Sequence, residues 1–141
     1  VLKDLFSGGT DTLTAGTGTG TQTLTGQQGD TFSSAAGAAG NNVFTVQSGS
    51  GAGSSLTGGA GNDTFNIQTH AGNDTITGGG GNDAVSFAGR SVGDVASLNQ
   101  IDPNNASAGF ELTFNGGQSF ELHGVSELQF GNDGQNVVLP K

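Results

Sequence analysis

The sequence predicts an all-β fold in which short parallel strands, joined by glycine turns, stack into a two-faced roll followed by antiparallel β structure. Three observations lead there. Of 141 residues, 28 are Gly and only 31 % are apolar, too few to fill a large globular core. A nine-residue unit recurs through the first two thirds of the chain. After Ser86 glycine thins out and apolar–polar alternation begins.

The repeat is clearest in Gly58 to Asn66 (GGAGNDTFN) and Gly78 to Ser86 (GGGGNDAVS). Between them, Thr69 to Thr77 (THAGNDTIT) matches over its last six positions. The unit reads G-G-x-G-x-D-x-U-x, with U a large apolar residue. Degenerate copies lie upstream: FSGGTDTLT ends at Thr14, TGTGTQTLT at Thr25, GQQGDTFS at Ser33, GAAGNNVFT at Thr45 and GSGAGSSLT at Thr57. The U column is Leu13, Leu24, Phe32, Phe44, Leu56, Phe65, Ile76 and Val85. Its spacings of 11, 8, 12, 12, 9, 11 and 9 mean that turns vary in length while each strand keeps one buried anchor.

Glycine turns without a Cβ penalty, and the x-U-x triplet that follows is extended with only U pointing inward. One turn and one strand make half a coil. Stacked coils supply the strand hydrogen bonds and a thin apolar ladder. Burying one anchor stabilises by roughly 1.5–3 kcal/mol, whereas ordering each residue costs about 1–2 kcal/mol of backbone entropy. A nine-residue unit with one anchor therefore needs further cohesion, and the Asp column is the place to look for it.

The charge agrees. Twelve Asp and Glu face three Lys and Arg, a net charge of -9, and nine of the twelve acids are Asp. That excludes the basic footprint of a nucleic-acid binder and disfavours anionic membranes. Clustered short carboxylates favour a hard cation such as calcium. No window approaches the roughly 18 apolar residues of a membrane-spanning helix. No signal peptide is visible, so a mature fragment, or export without an N-terminal signal, is expected. The absence of Cys removes disulfides and thiol chemistry.

On these repeats the chain resembles the RTX, or haemolysin-type calcium-binding, β-roll family over about residues 7 to 86. The segment GVSELQFGNDG (Gly124 to Gly134) is similar to the cap that commonly ends such rolls. The resemblance implies a right-handed parallel β-roll, residues 1–86, continuous with a C-terminal antiparallel β cap, residues 87–141. It implies calcium between successive turns of one edge, held by glycine-turn carbonyls and the Asp carboxylate. It also implies type I secretion from a bacterium, with folding outside the cell.

Carried onto this chain, the ligand set is Gly59, Gly61, Asp63, Gly79, Gly81 and Asp83, with Asn73 and Asp74, Asp11 and Asp30 as further ligands. Alternation of repeats places Gln22, Asn42, Asp63 and Asp83 on one edge, and Asp11, Asp30, Ser54 and Asp74 on the other. Asp63 and Asp83 are the well-matched pair. Asp11 and Asp30 are a weaker one, and Asp74 is flanked by Ser54 and by Asp94, which lies outside the repeat. Gln22, Asn42 and Ser54 keep an oxygen but lose the charge, so their turns are expected to close by side-chain hydrogen bonds. Asn62, Asn73 and Asn82 read first as turn residues that tolerate left-handed φ, and second as ligands.

Residues flanking U point outward and are rich in Thr. One face carries Thr12, Thr14, Thr31, Ser33, Ser55, Thr57, Thr75 and Thr77. Strand propensity explains this at the simplest level. A contact surface for identical neighbours, or an ice-binding face, are the sharper readings.

In the last third, Arg90 to Leu98 is expected as a short helix or an irregular crossing, and Asp102 to Ala108 as a loop. Phe110 to Phe114 alternates strictly and reads as a strand. Asn115-Gly116-Gly117 is a turn, and Phe120, Leu122, Val125, Leu128 and Phe130 continue the alternation. Gly131 to Gly134 turns the chain towards Val137, Val138 and Leu139.

No HExxH, GxSxG, Walker A or Cys nucleophile is present, so no enzyme is expected. His70 reads as a surface residue, His123 as the end of a strand, and Glu111, Glu121 and Glu127 as facing solvent. The expected function is a calcium-binding module of a secreted or cell-surface structural protein, ordered by Ca2+ and self-associating in a surface layer, filament or adhesin. The alternative is the export and folding module of a type I-secreted hydrolase.

Overall fold

The computed structural model describes the chain apart from residues 5–8, 36–37, 49–51 and 70–71. The reading of His70 lies outside the described residues. A short strand β1 (Leu2–Lys3) precedes the repeats, and eight strands carry them: β2 (Thr12–Ala15), β3 (Thr23–Gly26), β4 (Thr31–Ser34), β5 (Val43–Val46), β6 (Ser55–Thr57), β7 (Thr64–Ile67), β8 (Asp74–Thr77) and β9 (Ala84–Phe87). A 3-10 turn at Val92–Asp94 leads into β10 (Val95–Asp102), β11 (Asn105–Phe114), β12 (Ser119–His123), β13 (Glu127–Phe130) and β14 (Gln135–Val138).

The fold is all-β: two mostly parallel sheets wind into a roll, and antiparallel strands follow it. One sheet has the order β1-β3-β5-β7-β9-β13-β14 and the other β10-β11-β12-β8-β6-β4-β2. Successive repeats alternate between the sheets. In the first sheet Leu24, Phe44, Phe65 and Val85 stand in register, and in the second Leu13, Phe32, Leu56 and Ile76 do. All eight anchors are buried.

The interior is richer than one anchor per repeat. In the first sheet the residue two places beyond U also turns inward, giving a second column of Val46, Ile67 and Phe87. Phe44 and Phe65 stack at 5.0 Å and 9° between ring planes. Phe87 meets Phe120 edge-on at 4.9 Å and Phe114 at 5.2 Å, which joins the roll to the C-terminal strands.

Those strands both close the roll and extend it. β12 pairs parallel with β8, placing Leu122 beside Ile76, and β13 pairs parallel with β9, placing Leu128 beside Val85. The antiparallel pairs are β10 with β11, β11 with β12, and β13 with β14. Of Arg90 to Leu98, expected as a short helix or an irregular crossing, Val92–Asp94 is a 3-10 turn, but the rest, with most of the loop expected at Asp102 to Ala108, forms a long hairpin. Val95 to Asp102 is extended, and only Pro103 and Asn104 turn. Half-exposed alternation in β10 hides this strand, because its outer edge pairs with nothing among the described residues. Arg90 pins the hairpin base: its Nη2 donates to Gln118 Oε1 at 2.8 Å and its guanidinium lies 4.5 Å from the Phe114 ring centre.

Candidate functional site at the turn edges

Each repeat Asp sits two residues before its anchor, so period-two alternation turns both to the inside. Asp30, Asp63, Asp74 and Asp83 are accordingly buried, at 0–2 % exposure, and Asn42 and Ser54 are buried too, whereas Asp11 in the first repeat is exposed. The expectation that only U points inward misses this column.

Alternation also sets the edges. On one edge the order is Gln22, Asn42, Asp63, Asp83, and above Asp83 comes Ser126 of the C-terminal segment. On the other it is Asp11, Asp30, Ser54 and Asp74. The level above Asp74 is not Asp94 but the start of β12: Phe120 stands opposite Asp74, and Ser119 lies over Asn73. Asp94 instead accepts the Ser91 N–H at 2.8 Å, within its own turn.

The carboxylates act across levels. Asn42 N–H donates to Asp63 Oδ1 at 2.7 Å, and Asp63 N–H to Asp83 Oδ1 at 2.8 Å. On the other edge Asp11 N–H donates to Asp30 Oδ1 at 3.0 Å, and Ser54 N–H to Asp74 Oδ1 at 2.7 Å. Second oxygens close the residue's own turn: Gly59 N–H donates to Asp63 Oδ2, and Gln27 N–H to Asp30 Oδ2, each at 2.7 Å.

Uncharged rungs do similar work. Gly16 N–H donates to Gln22 Oε1 at 2.7 Å, Asn42 Nδ2 donates to Ser34 Oγ at 2.8 Å, and Gly29 N–H donates to Ser54 Oγ at 2.9 Å.

The preceding Asn residues reach the other way. Asn62 N–H donates to Asn41 Oδ1 and Asn82 N–H to Asn62 Oδ1, both at 2.8 Å, and Ser119 N–H donates to Asn73 Oδ1 at 2.8 Å. Among the described residues no non-glycine has positive φ. The left-handed reading of Asn62, Asn73 and Asn82 is thus wrong, and the side chains of Asn62 and Asn73 each accept the N–H of the level above. Each Asp accepts the N–H of the level below, so one Asn-Asp dipeptide ties three levels.

Glycine is required where these groups converge. A Cβ on Gly58 or Gly78 would fall on Asp63 Oδ2 or Asp83 Oδ2. Gly79 and Gly81 adopt φ of 104° and 89°, which side chains rarely take. A Cβ on Gly61 would meet the Gly40 carbonyl, and one on Gly81 the Gly61 carbonyl. Gly59, Gly61, Gly79 and Gly81 thus bring turn backbones into direct stacking beside Asp63 and Asp83.

Two buried oxygens on this edge are left over. Asp83 Oδ2 and Asn42 Oδ1 accept no hydrogen bond. Burial pushes the Asp83 carboxyl up to about 6, and the neighbouring Asp63 charge adds to this. The Asp63 N–H and the Lys141 charge oppose it. An orphaned buried oxygen beside stacked glycine carbonyls makes a hard, all-oxygen donor set, which fits a calcium-like cation.

A second acidic group lies at the other end of the roll. One oxygen each from Asp4, Asp11 and Asp30 lie within 4.8 Å of one another. Asp4 belongs to no repeat, and it reaches the cluster because its N–H is held by the Thr25 carbonyl at 2.8 Å. Only the tertiary pairing of β1 with β3 reveals it.

On the outer face of the second sheet, Glu111 stands opposite Glu121 in register. Both line an open cavity of about 290 Å³ with Thr75, Ser119 and Ile101. His123 closes β12, with Nε2 2.8 Å from Glu121 Oε1 and Nδ1 3.0 Å from the Ala108 carbonyl. Comparison with protein-family models, curated proteins and solved structures returns no match to this chain.

Proposed function

We propose that the chain is a calcium-binding β-roll module of a secreted or cell-surface structural protein, ordered by Ca2+. One observation carries the reading. Asp63 and Asp83 occupy adjacent levels of one edge, and Asp83 brings a buried carboxylate oxygen that no N–H satisfies. A buried acceptor left in that state costs about 1–3 kcal/mol, and more when charged. Asp63, Asp83 and the carbonyls of Gly59, Gly61, Gly79 and Gly81 would hold the ion. Asp11, Asp30 and Asp4 would form a second position, and Asn73 with Asp74 a third. Bound calcium would supply positive charge against buried carboxylates, and a ligand selective for the folded chain stabilises it by mass action.

Self-association in a surface layer, filament or adhesin is the biological role we favour. Thr12, Thr31, Ser55 and Thr75 form one straight outer column, and Thr14, Ser33, Thr57 and Thr77 the next. Among these eight positions there is no charge, so copies of a chain with net charge -9 can meet there without like-charge contact. An assembly of this kind fits a bacterial surface reached by type I secretion.

A specific observation also favours a second reading, a roll stapled without metal. Asp30 and Asp63 already use both carboxylate oxygens on backbone N–H groups. Circular dichroism and melting in chelator and in calcium separate the two. The calcium reading requires a disorder-to-β change or a large rise in melting temperature, and identical melts would leave only the metal-free staple. Growth of particle size with concentration would support self-association, and a monomer at all concentrations would remove it.

A further inference from the structure

The turns on the Asp63 edge each direct a glycine carbonyl at the turn above. A Cβ on Gly40 would meet the Gly20 carbonyl, one on Gly61 that of Gly40, and one on Gly81 that of Gly61. At Gly81 the glycine column ends, because Gly124, Val125 and Ser126 replace a full repeat turn at the next level. The Gly81 carbonyl accepts a hydrogen bond from the Lys141 ammonium instead.

The carboxylate column ends at the same height. Asn42 N–H and Asp63 N–H each find a carboxylate on the level above, whereas Asp83 N–H finds the neutral Ser126 Oγ at 3.3 Å. The top level thus lacks the second acid that pairs Asp63 with Asp83 below it. The approach of Lys141 is fixed by the chain before it. β14 pairs with β13 in register, Leu139 is buried, and Leu139 N–H donates to the Ser126 carbonyl at 2.8 Å. Lys141 follows two residues later.

We infer that Lys141 is a tethered monovalent cation for the last turn. Its ammonium takes the position above Gly81 and Asp83 that a further level would otherwise fill. It stabilises that end of the roll without metal, and it opposes entry of a divalent ion at the Asp83 turn. The last of these consequences rests on the calcium reading, and the stabilisation does not.

The test compares the parent chain with Lys141→Gln and Lys141→Arg, melted in chelator and titrated with calcium chloride. Lys141 is exposed, so the variants keep the fold. In chelator Lys141→Gln is expected to melt about 2–4 °C lower, the shift that roughly 1 kcal/mol produces, and Lys141→Arg to stay near the parent. With calcium, Lys141→Gln is expected to bind roughly 2- to 5-fold more tightly, the range of a partly exposed charge. If Lys141→Gln melts with the parent in chelator and binds calcium identically, the tethered-cation assignment is overturned. If calcium affects none of the three while Lys141→Gln still melts lower and Lys141→Arg does not, the assignment stands and the calcium reading fails.

Discussion

Asp63 donates its backbone N–H to Oδ1 of Asp83, twenty residues later and one level higher, at 2.8 Å. The same Asp63 accepts from Asn42 below and from Gly59 in its own turn. A residue with the spacing of a metal ligand is therefore also a structural staple, and the two roles separate by experiment.

In chelator, Asp63→Ala strips the acceptor from two backbone N–H groups, and each buried unmet donor costs about 1–3 kcal/mol. Asp83→Ala strips one acceptor but also removes a buried oxygen that lacks a partner. Asp63→Ala is expected to be the more destabilising of the two by about 1–2 kcal/mol, read from urea melts of the metal-free protein. Equal losses would show that the staple at Gly59 and Asn42 contributes little.

In calcium the order is set by ligation. Asp63→Ala and Asp83→Ala should each abolish most of the calcium-induced rise in melting temperature, and Asp11→Ala should remove less. Asp11 is exposed, and Asp4 and Asp30 would remain to hold its position. Equal effects at Asp11, Asp63 and Asp83 would refute the pairing of Asp63 with Asp83 as the principal position.

The Asp83 carboxyl, pushed up to about 6 by burial and by Asp63, gives a pH dependence with a definite sign. A carboxyl raised in the folded state binds more protons folded than unfolded between pH 3.8 and about 6. Stability of the metal-free protein therefore falls as pH rises through that window, by on the order of 2 kcal/mol from this group. Melting in chelator from pH 4 to pH 7 checks it, with Asp83→Asn expected to flatten the slope. A slope unchanged in Asp83→Asn would assign it elsewhere.

Gly78→Ala should be strongly destabilising. Its Cβ would fall on Asp83 Oδ2 and lie 2.7 Å from the Gly124 carbonyl, so backbone must move at a cost of about 1–3 kcal/mol. Gly116→Ala is the control, because a Cβ there meets nothing within 4 Å and its φ is not positive. Thermal melts of the two should differ by several degrees, and coincident melts would mean that the Gly78 turn is not tightly stacked.

The repeat made the roll legible. Strand positions from Leu13 to Val85 follow from one apolar residue per turn, and alternation alone assigns Asp63 and Asp83 to one edge. What stayed hidden depends on neighbours distant in sequence. Val46, Ile67 and Phe87 look like repeat linkers until their strands run one residue longer than the unit. β10 carries no clean alternation, because one of its edges pairs with nothing among the described residues. Asp4, Gln118 and Lys141 belong to no motif, and only strand pairing carries them to the turn edges. Asn62 and Asn73 misled for a local reason: Asn is common at left-handed positions, and here its side chain serves the next level instead.

The most direct measurement is a calorimetric calcium titration of chelator-stripped protein, run in parallel on the parent and on the Asp63→Ala/Asp83→Ala double variant. Saturable binding by the parent, with a melting temperature raised by roughly 5–15 °C at a hundredfold excess over the dissociation constant, and a marked loss of both in the double variant, is the expected result. A parent that binds no calcium, or a double variant that binds it as tightly and as often as the parent, would contradict the assignment of these two carboxylates to a shared ion.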